Sequence, residues 1–347
     1  MKINMLLPGL NHSGGVQVAL SYLNYFVQKG ASVVCYVPMR ALLKKGITND
    51  SLGRWFDNKF EIRFVPFVNN MTVRSADITI ATAWKTSYWL KNLSAKKGKK
   101  VYFIQDYETW FKDNKNRRVR KSYHLPMDLR VSVSTELQKK LQMLDNCDSE
   151  VICNGIKEKY LRTSYKKNKN NESPIVIGMP YREKKGNSDV KNCEFGIKAL
   201  KKIQLENSNL QVQFFGFKKP KNLPTGMHFL ENPSRTELMK WYDSVDILYI
   251  PSIYEGWGLP AMEGMARGCV VIGSNTGCLK EFGKNNINCL TLKSMKNYKE
   301  ARNAILILIK NDKLRKKIGK NAFMAVKEYS FEKEAGIFWN KLINLIK

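Results

Sequence analysis

Short apolar runs, each followed by a glycine-containing turn and then by a segment with helical apolar spacing, recur in two blocks along the chain. No other feature constrains the fold as much. A strand, a helix and a second strand in succession return the chain parallel to its start, and repeated units of this kind form a helix-covered parallel sheet. Residues 3–7 read as a buried strand, and Asn11-His12-Ser13-Gly14-Gly15 as a turn. Residues 16–29, with Val18, Leu20, Tyr22, Leu23, Phe26 and Val27, read as an amphipathic helix that Gly30 ends. Residues 32–37 form the second strand. Further strands are expected at 62–65, 77–81, 101–104, 129–133 and 151–153, with helices near 86–93 and 135–144.

The stretch Tyr165-Lys166-Lys167-Asn168-Lys169-Asn170-Asn171-Glu172 then interrupts the pattern and has the polarity of a linker. Beyond it the alternation restarts, with strands expected at 175–178, 211–216, 246–250 and 270–273 and helices at 193–206, 234–245 and 260–267. A chain of 347 residues is long enough for two cores. The expected organisation is an α/β chain of two doubly wound, Rossmann-like domains: 1–156, a linker at 157–173, and 174–330, with 331–347 as a helix that could pack back on the first domain. Ligands of such sheets bind outside the strand carboxyl ends, so the active site is expected in a cleft that the two domains face.

Composition narrows the ligand. With 59 Lys+Arg against 30 Asp+Glu, the net charge is +29, and such a chain seeks anions. The apolar share of 43% is that of a globular protein and excludes a disordered or collagen-like chain. Seven cysteines without a Cys-x-x-Cys pair, and three scattered histidines, offer no zinc site or disulfide framework. They fit free thiols in a reducing compartment. The opening apolar stretch breaks at Pro8-Gly9, short for the core of a secretory signal, so a cytoplasmic location is expected, with any membrane attachment peripheral.

The segment richest in chemistry is Pro251-Ser252-Ile253-Tyr254-Glu255-Gly256-Trp257-Gly258-Leu259-Pro260-Ala261-Met262-Glu263. It leaves a buried strand, turns through Gly256 and Gly258, and enters a helix with a proline near its first position. Free amides at that helix end suit a phosphate, and the glycines let the backbone approach it. Glu263, one turn into the helix, can accept hydrogen bonds from a ribose diol, while Glu255 points towards a sugar.

Two glutamates seven residues apart within Glu-Gly-x-Gly-Leu-Pro-x-x-Glu, followed by Gly-Cys-Val-Val-Ile, resemble the nucleotide-sugar site of the family 4 retaining glycosyltransferases of GT-B fold. Gly14-Gly15 is similar to that family's first glycine-rich loop, Asn154-Gly155-Ile156 to its interdomain boundary, and Thr276-Gly277 to its phosphate-side loop. Arg182 and Lys185-Gly186 resemble the arginine and lysine that grip the donor diphosphate, with Lys184 the other candidate for the lysine. The resemblance implies a retaining, metal-independent hexosyltransferase without a cofactor. Its donor would be a nucleoside-diphosphate sugar, GDP-mannose or dTDP-rhamnose first, and its acceptor a surface glycan or lipid-linked glycan. Glu255, Arg182, Lys185 and Asp106 would be catalytic. Gly15, Arg182, Lys185, Glu255, Gly256, Gly258, Leu259, Glu263 and Gly277 would bind the donor.

Gln105 stands where many relatives carry a histidine, and Cys278 where a second glycine is frequent. Gln105-Asp106-Tyr107-Glu108 with Met179-Pro180-Tyr181-Arg182 looks more like a subgroup that includes rhamnosyltransferases of surface glycans. Asp106 or Glu108 either orients an acceptor hydroxyl or caps the next helix. The basic stretch 112–121, which with the preceding Trp110-Phe111 makes a surface at 110–121, suits an anionic membrane surface. No nucleic-acid-binding signature accompanies it, so nucleic acid is not an expected partner. An epimerase or phosphorylase of the same fold, or a basic binding protein built on it, are the other readings.

Overall fold

The computed structural model describes residues 1–43, 58–111, 116–165, 173–183 and 189–347. The described residues divide into two units, Met1–Gly155 with Phe331–Lys347, and Ile156–Ser330.

The first unit carries β1 (Lys2–Leu6), α1 (Gly14–Gln28), β2 (Ser32–Pro38), α2 (Arg40–Leu43), β3 (Glu61–Val65), β4 (Ile78–Ala81), α3 (Trp84–Lys91), β5 (Lys99–Ile104), α4 (Asn116–Tyr123), β6 (Leu129–Ser132), α5 (Thr135–Asp145) and β7 (Glu150–Val151). Its sheet runs β3-β2-β1-β4-β5-β6-β7, parallel throughout. The interior strands β1 and β4 are apolar and buried on both faces over nearly their whole length, as a sheet covered by helices on both sides requires; β4 is buried at every position. α12 (Phe331–Ile346) completes this unit. Its Phe338 packs against Tyr22, Phe26 and Phe103 with ring centroids 5.3, 5.7 and 5.5 Å away, and Phe331 lies 5.4 Å from Tyr22.

The second unit carries β8 (Ile175–Pro180), α6 (Cys193–Leu205), β9 (Leu210–Gly216), β10 (Met227–Glu231), α7 (Arg235–Ser244), β11 (Ile247–Ile250), α8 (Leu259–Ala266), β12 (Val270–Ser274), α9 (Cys278–Glu281), β13 (Leu290–Leu292), α10 (Tyr298–Lys310) and α11 (Asp312–Lys327). Its sheet, β10-β9-β8-β11-β12-β13, is also parallel. Ile177, Met179, Val212, Phe214, Ile247, Tyr249 and Ile272 form the heart of its core. At roughly 1.5–3 kcal/mol for each large apolar side chain, such burial dominates the stability of the unit.

In each sheet the strand order reverses once, between β1 and β4 in the first unit and between β8 and β11 in the second. A crevice opens at such a point because successive helices leave to opposite faces, and ligands of doubly wound sheets sit there.

The linker placed at 157–173 is not a free connector over its first part. Ile156 bridges to Ser330, and Arg267 donates to the Tyr160 carbonyl at 3.4 Å, so these residues are fastened to the second unit. Residues 166–172 lie outside the described residues. Of the basic stretch, residues 112–115 lie outside the described residues; residues 116–123 are helical, with Val119, Ser122 and Tyr123 forming a buried stripe while Arg117, Arg118, Arg120 and Lys121 stay exposed. Among the described residues no helix is long and apolar enough to cross a membrane.

Candidate functional site

The site of the second unit is assembled at the β8/β11 switch point. β8 ends at Pro180, and the chain runs directly into Arg182, whose side chain is exposed and whose backbone N–H reaches the Cys193 sulfur at the start of α6. β11 ends at Ile250 and releases the Pro251–Gly258 loop. The two loops are tied together by the Ile253 N–H, which donates to the Val190 carbonyl at 2.8 Å. Beside that bond, Lys191 Nζ meets Glu255 Oε2 at 2.6 Å, with both side chains partly open to solvent. Lys191 and Glu255 are therefore paired at the switch point, where β8 leads into Arg182, and the ion pair fixes the Glu255 carboxylate.

Lys191 is a cation at this point that no sequence motif singled out. Lys185 and Lys184, the expected partners of Arg182, lie outside the described residues. Lys191 immediately precedes Asn192, which starts α6 in the left-handed conformation with φ of 52°. Glycine usually takes that backbone position, and a Lys-Gly pair before a helix would have been conspicuous. Lys191-Asn192 is the same junction with an asparagine, the non-glycine residue best suited to it.

Glycine at the turns has a packing reason. Gly258 starts α8 at φ of 89°, and Ala261 N–H donates to its carbonyl. Gly277, at φ of 57°, lies against the Trp257 carbonyl: a Cβ there would come within 2.3 Å of that oxygen. The loop of Gly277 and Cys278 thus presses on the loop of Glu255 and Gly258, and Ser274 Oγ adds a 2.7 Å bond to the Ser252 carbonyl. Cys278, buried and with its thiol pushed up by burial, is a packing residue here.

Glu263 lies deeper than expected for a residue facing a ligand, with 5% of its surface exposed. One carboxylate oxygen accepts from Arg235 Nη2 at 2.8 Å, the other from the Tyr242 hydroxyl at 3.2 Å. The Arg235 guanidinium also rests 4.4 Å from the Tyr160 ring centroid. Burial opposes the Arg235 charge, and the adjacent Glu263 carboxylate more than compensates, so its pKa lies above the ordinary value. Burial and the same carboxylate raise Tyr242 well above its usual range, which keeps it protonated and a donor. Removing one member of such a buried pair strands the other's charge, at roughly 3–5 kcal/mol.

In the first unit Gly15 lies in the first turn of α1, whose N-cap Ser13 accepts from the Val16 N–H. A Cβ on Gly15 would stand 3.3 Å from Gln105 Oε1, so the glycine loop after β1 and the end of β5 meet through the Gln105 amide. Asp106 is half-buried in the loop that follows. Glu108 caps α3: its carboxylate accepts from the Trp84 N–H at 2.6 Å. Among the described residues no cluster of three or more His, Cys, Asp or Glu could hold a metal ion. A cavity of about 580 Å³ in the second unit opens at the amino ends of β8, β9 and β12, near Tyr165 and Asp246, at the sheet edge opposite this chemistry.

Comparison with known proteins agrees with this geometry. Residues 164–324 match the family described as glycosyl transferases group 1. An uncharacterized glycosyltransferase of Methanocaldococcus jannaschii is 34% identical over 113 residues, 33% of this chain and 32% of that protein, so the match spans about a third of this curated relative. Over 99% of its length the chain superimposes on Anabaena Alr3699/HepE, solved with UDP-glucose, with a TM-score of 0.78 at 16% identity and all of that chain covered. It superimposes likewise on sucrose-phosphate synthase of Thermosynechococcus elongatus, with a TM-score of 0.74 at 14% identity and 99% of each chain covered. The chain has the GT-B fold, and the match over residues 164–324 supports a glycosyltransferase of group 1.

Proposed function

We propose that the protein is a retaining, metal-independent glycosyltransferase that moves a hexose or deoxyhexose from a nucleoside-diphosphate sugar to a glycan or lipid-linked acceptor in surface-glycan synthesis. The observation that carries this reading is the Lys191–Glu255 pair at the β8/β11 switch point. Cleavage of the anomeric bond leaves negative charge on the departing diphosphate and positive charge on the sugar. Arg182 and Lys191 supply preset positive charge for the phosphates, which is the largest kind of contribution such a site makes. Glu255, held by Lys191, is the carboxylate for the sugar side, and Asp106 of the first unit orients the acceptor hydroxyl. Retention follows if that hydroxyl attacks from the face the diphosphate leaves. With cations of the chain meeting the leaving group, no metal or other cofactor is required.

GDP-mannose and dTDP-rhamnose remain candidate donors, and the UDP-glucose held by Alr3699/HepE adds UDP-hexoses. The basic α4 surface with Trp110, whose ring lies 4.4 Å from Lys140 Nζ, is the surface proposed to meet an anionic membrane. A thermal-shift screen against UDP, GDP, dTDP and their common sugar conjugates tests the donor reading. At about 100 times the dissociation constant, a ligand adds about 2.7 kcal/mol of stability. One nucleotide should stabilise the parent, and Lys191→Met should weaken its binding by about tenfold or more, the loss of a charge-assisted hydrogen bond. Donor transfer should survive EDTA, and the product should keep the donor's anomeric configuration. No response to any nucleotide would overturn the reading.

A further inference from the structure

Glu263 is a single carboxylate with four lone-pair sites. Arg235 Nη2 occupies one at 2.8 Å and the Tyr242 hydroxyl another, on the opposite oxygen, at 3.2 Å. Two acceptor sites remain, one on each oxygen, and a vicinal diol offers two O–H donors. The count matches a ribose and leaves one site unmet for a 2′-deoxyribose. The carboxylate can present that pair only if it cannot rotate, and its restraint comes from Arg235 together with Tyr242.

Arg235 is the first residue of α7, 8% exposed, with its guanidinium 4.4 Å from the centroid of the Tyr160 ring. Tyr160 is itself held through its carbonyl by Arg267, which Asp243 of α7 grips through Arg267 Nε at 2.9 Å. The guanidinium is thus fixed by its own backbone at the head of α7 and by a ring tethered to the same helix. Its Nε is buried without a hydrogen-bond partner, so the side chain's placement is set by Glu263 and Tyr160 rather than by a wider polar network. A buried arginine with one donor left unsatisfied is an unusual expense for packing alone.

We propose that Arg235 is a positioning residue that, with Tyr242, holds the Glu263 carboxylate preset for a ribose 2′,3′-diol, and that the donor is therefore a ribonucleoside diphosphate sugar rather than a deoxyribonucleoside one. This rests on the donor-site reading above and deepens it: dTDP sugars fall behind UDP and GDP sugars. Arg235 acts through Glu263 and is not itself a contact to the reacting atoms.

The test uses the full chain and two nucleotide pairs that differ by one hydroxyl, UDP against 2′-deoxy-UDP and GDP against 2′-deoxy-GDP, with dissociation constants measured by calorimetry. The parent should bind the ribonucleotide of its preferred base about tenfold or more tightly than the deoxy form, the loss of a hydrogen bond to a charged group. In Arg235→Met the ratio should fall towards one, and Arg235→Lys, which keeps a cation, should restore part of it. Tyr242→Phe, which removes a single hydroxyl and folds more readily, should also lower the ratio and carries the test if Arg235→Met does not fold. An unchanged ratio in a folded Arg235→Met, or in Tyr242→Phe where Arg235→Met does not fold, would overturn the positioning role. A parent that binds UDP or GDP without discriminating against the deoxy form would overturn the inference while leaving the donor site standing. A parent that binds none of the four overturns both.

Discussion

Replacing Gly277 by alanine isolates the close approach of two loops at the site. Two terms are separable. The first is backbone strain: at φ of 57° and ψ of −132° Gly277 occupies a region that side-chain-bearing residues rarely adopt, which costs of order 1–3 kcal/mol. The second is overlap, because a Cβ would sit 2.3 Å from the Trp257 carbonyl oxygen and 2.7 Å from its carbon. Both atoms are backbone, so the clash is relieved only by moving the Trp257–Gly258 turn, at a further cost of about 1–3 kcal/mol, as for other overpacked sites. Gly226, in the same unit, is the control: its φ is +80°, and nothing lies within 4 Å of an added Cβ. Gly226→Ala should therefore cost about 1 kcal/mol and Gly277→Ala about 3 kcal/mol or more. At roughly 2–4 °C per kcal/mol for a unit of this size, differential scanning calorimetry should record transitions lowered by about 2–4 °C and about 6–12 °C. Nucleotide affinity should fall in Gly277→Ala and stay at the parent value in Gly226→Ala. Equal thermal losses in the two variants would refute the overlap argument.

Glu108→Ala should remove the cap of α3 and destabilise the first unit by about 1 kcal/mol without altering nucleotide affinity, measured by calorimetry and titration. Tyr107, whose pKa burial and its bond to Asp145 push up to about 12, keeps its proton more tightly folded than unfolded. Its contribution is therefore complete below about pH 10 and lost as pH rises towards 12, and Tyr107→Phe should flatten that part of the stability profile by up to about 1.4 kcal/mol per pH unit. If the α4 surface docks on membrane, liposomes with anionic lipid should sediment the protein at low salt and release it at high salt; equal sedimentation with neutral liposomes would end that reading.

The two sheets were legible because their interior strands carry an unbroken apolar signal. The observed Ile78–Ala81 and Ile247–Ile250 lie within the spans expected from sequence. β10 and β13 escaped notice for the opposite reason. Both are edge strands, β10 with a half-exposed burial pattern and β13 only three residues long, so neither shows a periodicity that rises above a loop. At the candidate site, Glu255 and Glu263 stood out in the sequence through the turn chemistry around them. Arg235 was not, because it reaches Glu263 across 28 residues of sequence and no local pattern marks such a pairing. Lys191 was hidden by a more conspicuous lysine pair upstream and by the asparagine that does a glycine's work beside it.

α12 fills the first unit with Phe331 and Phe338 although some 175 residues of the second unit, Ile156–Ser330, are synthesised in between. On the ribosome the second unit can be finished while the first still waits for its last aromatic layer. Until residue 338 emerges, Tyr22, Phe26 and Phe103 form an open apolar surface on a strongly basic nascent chain, a state that invites chaperones. A premature stop near residue 330 would spare the fold of the second unit and leave the first permanently incomplete.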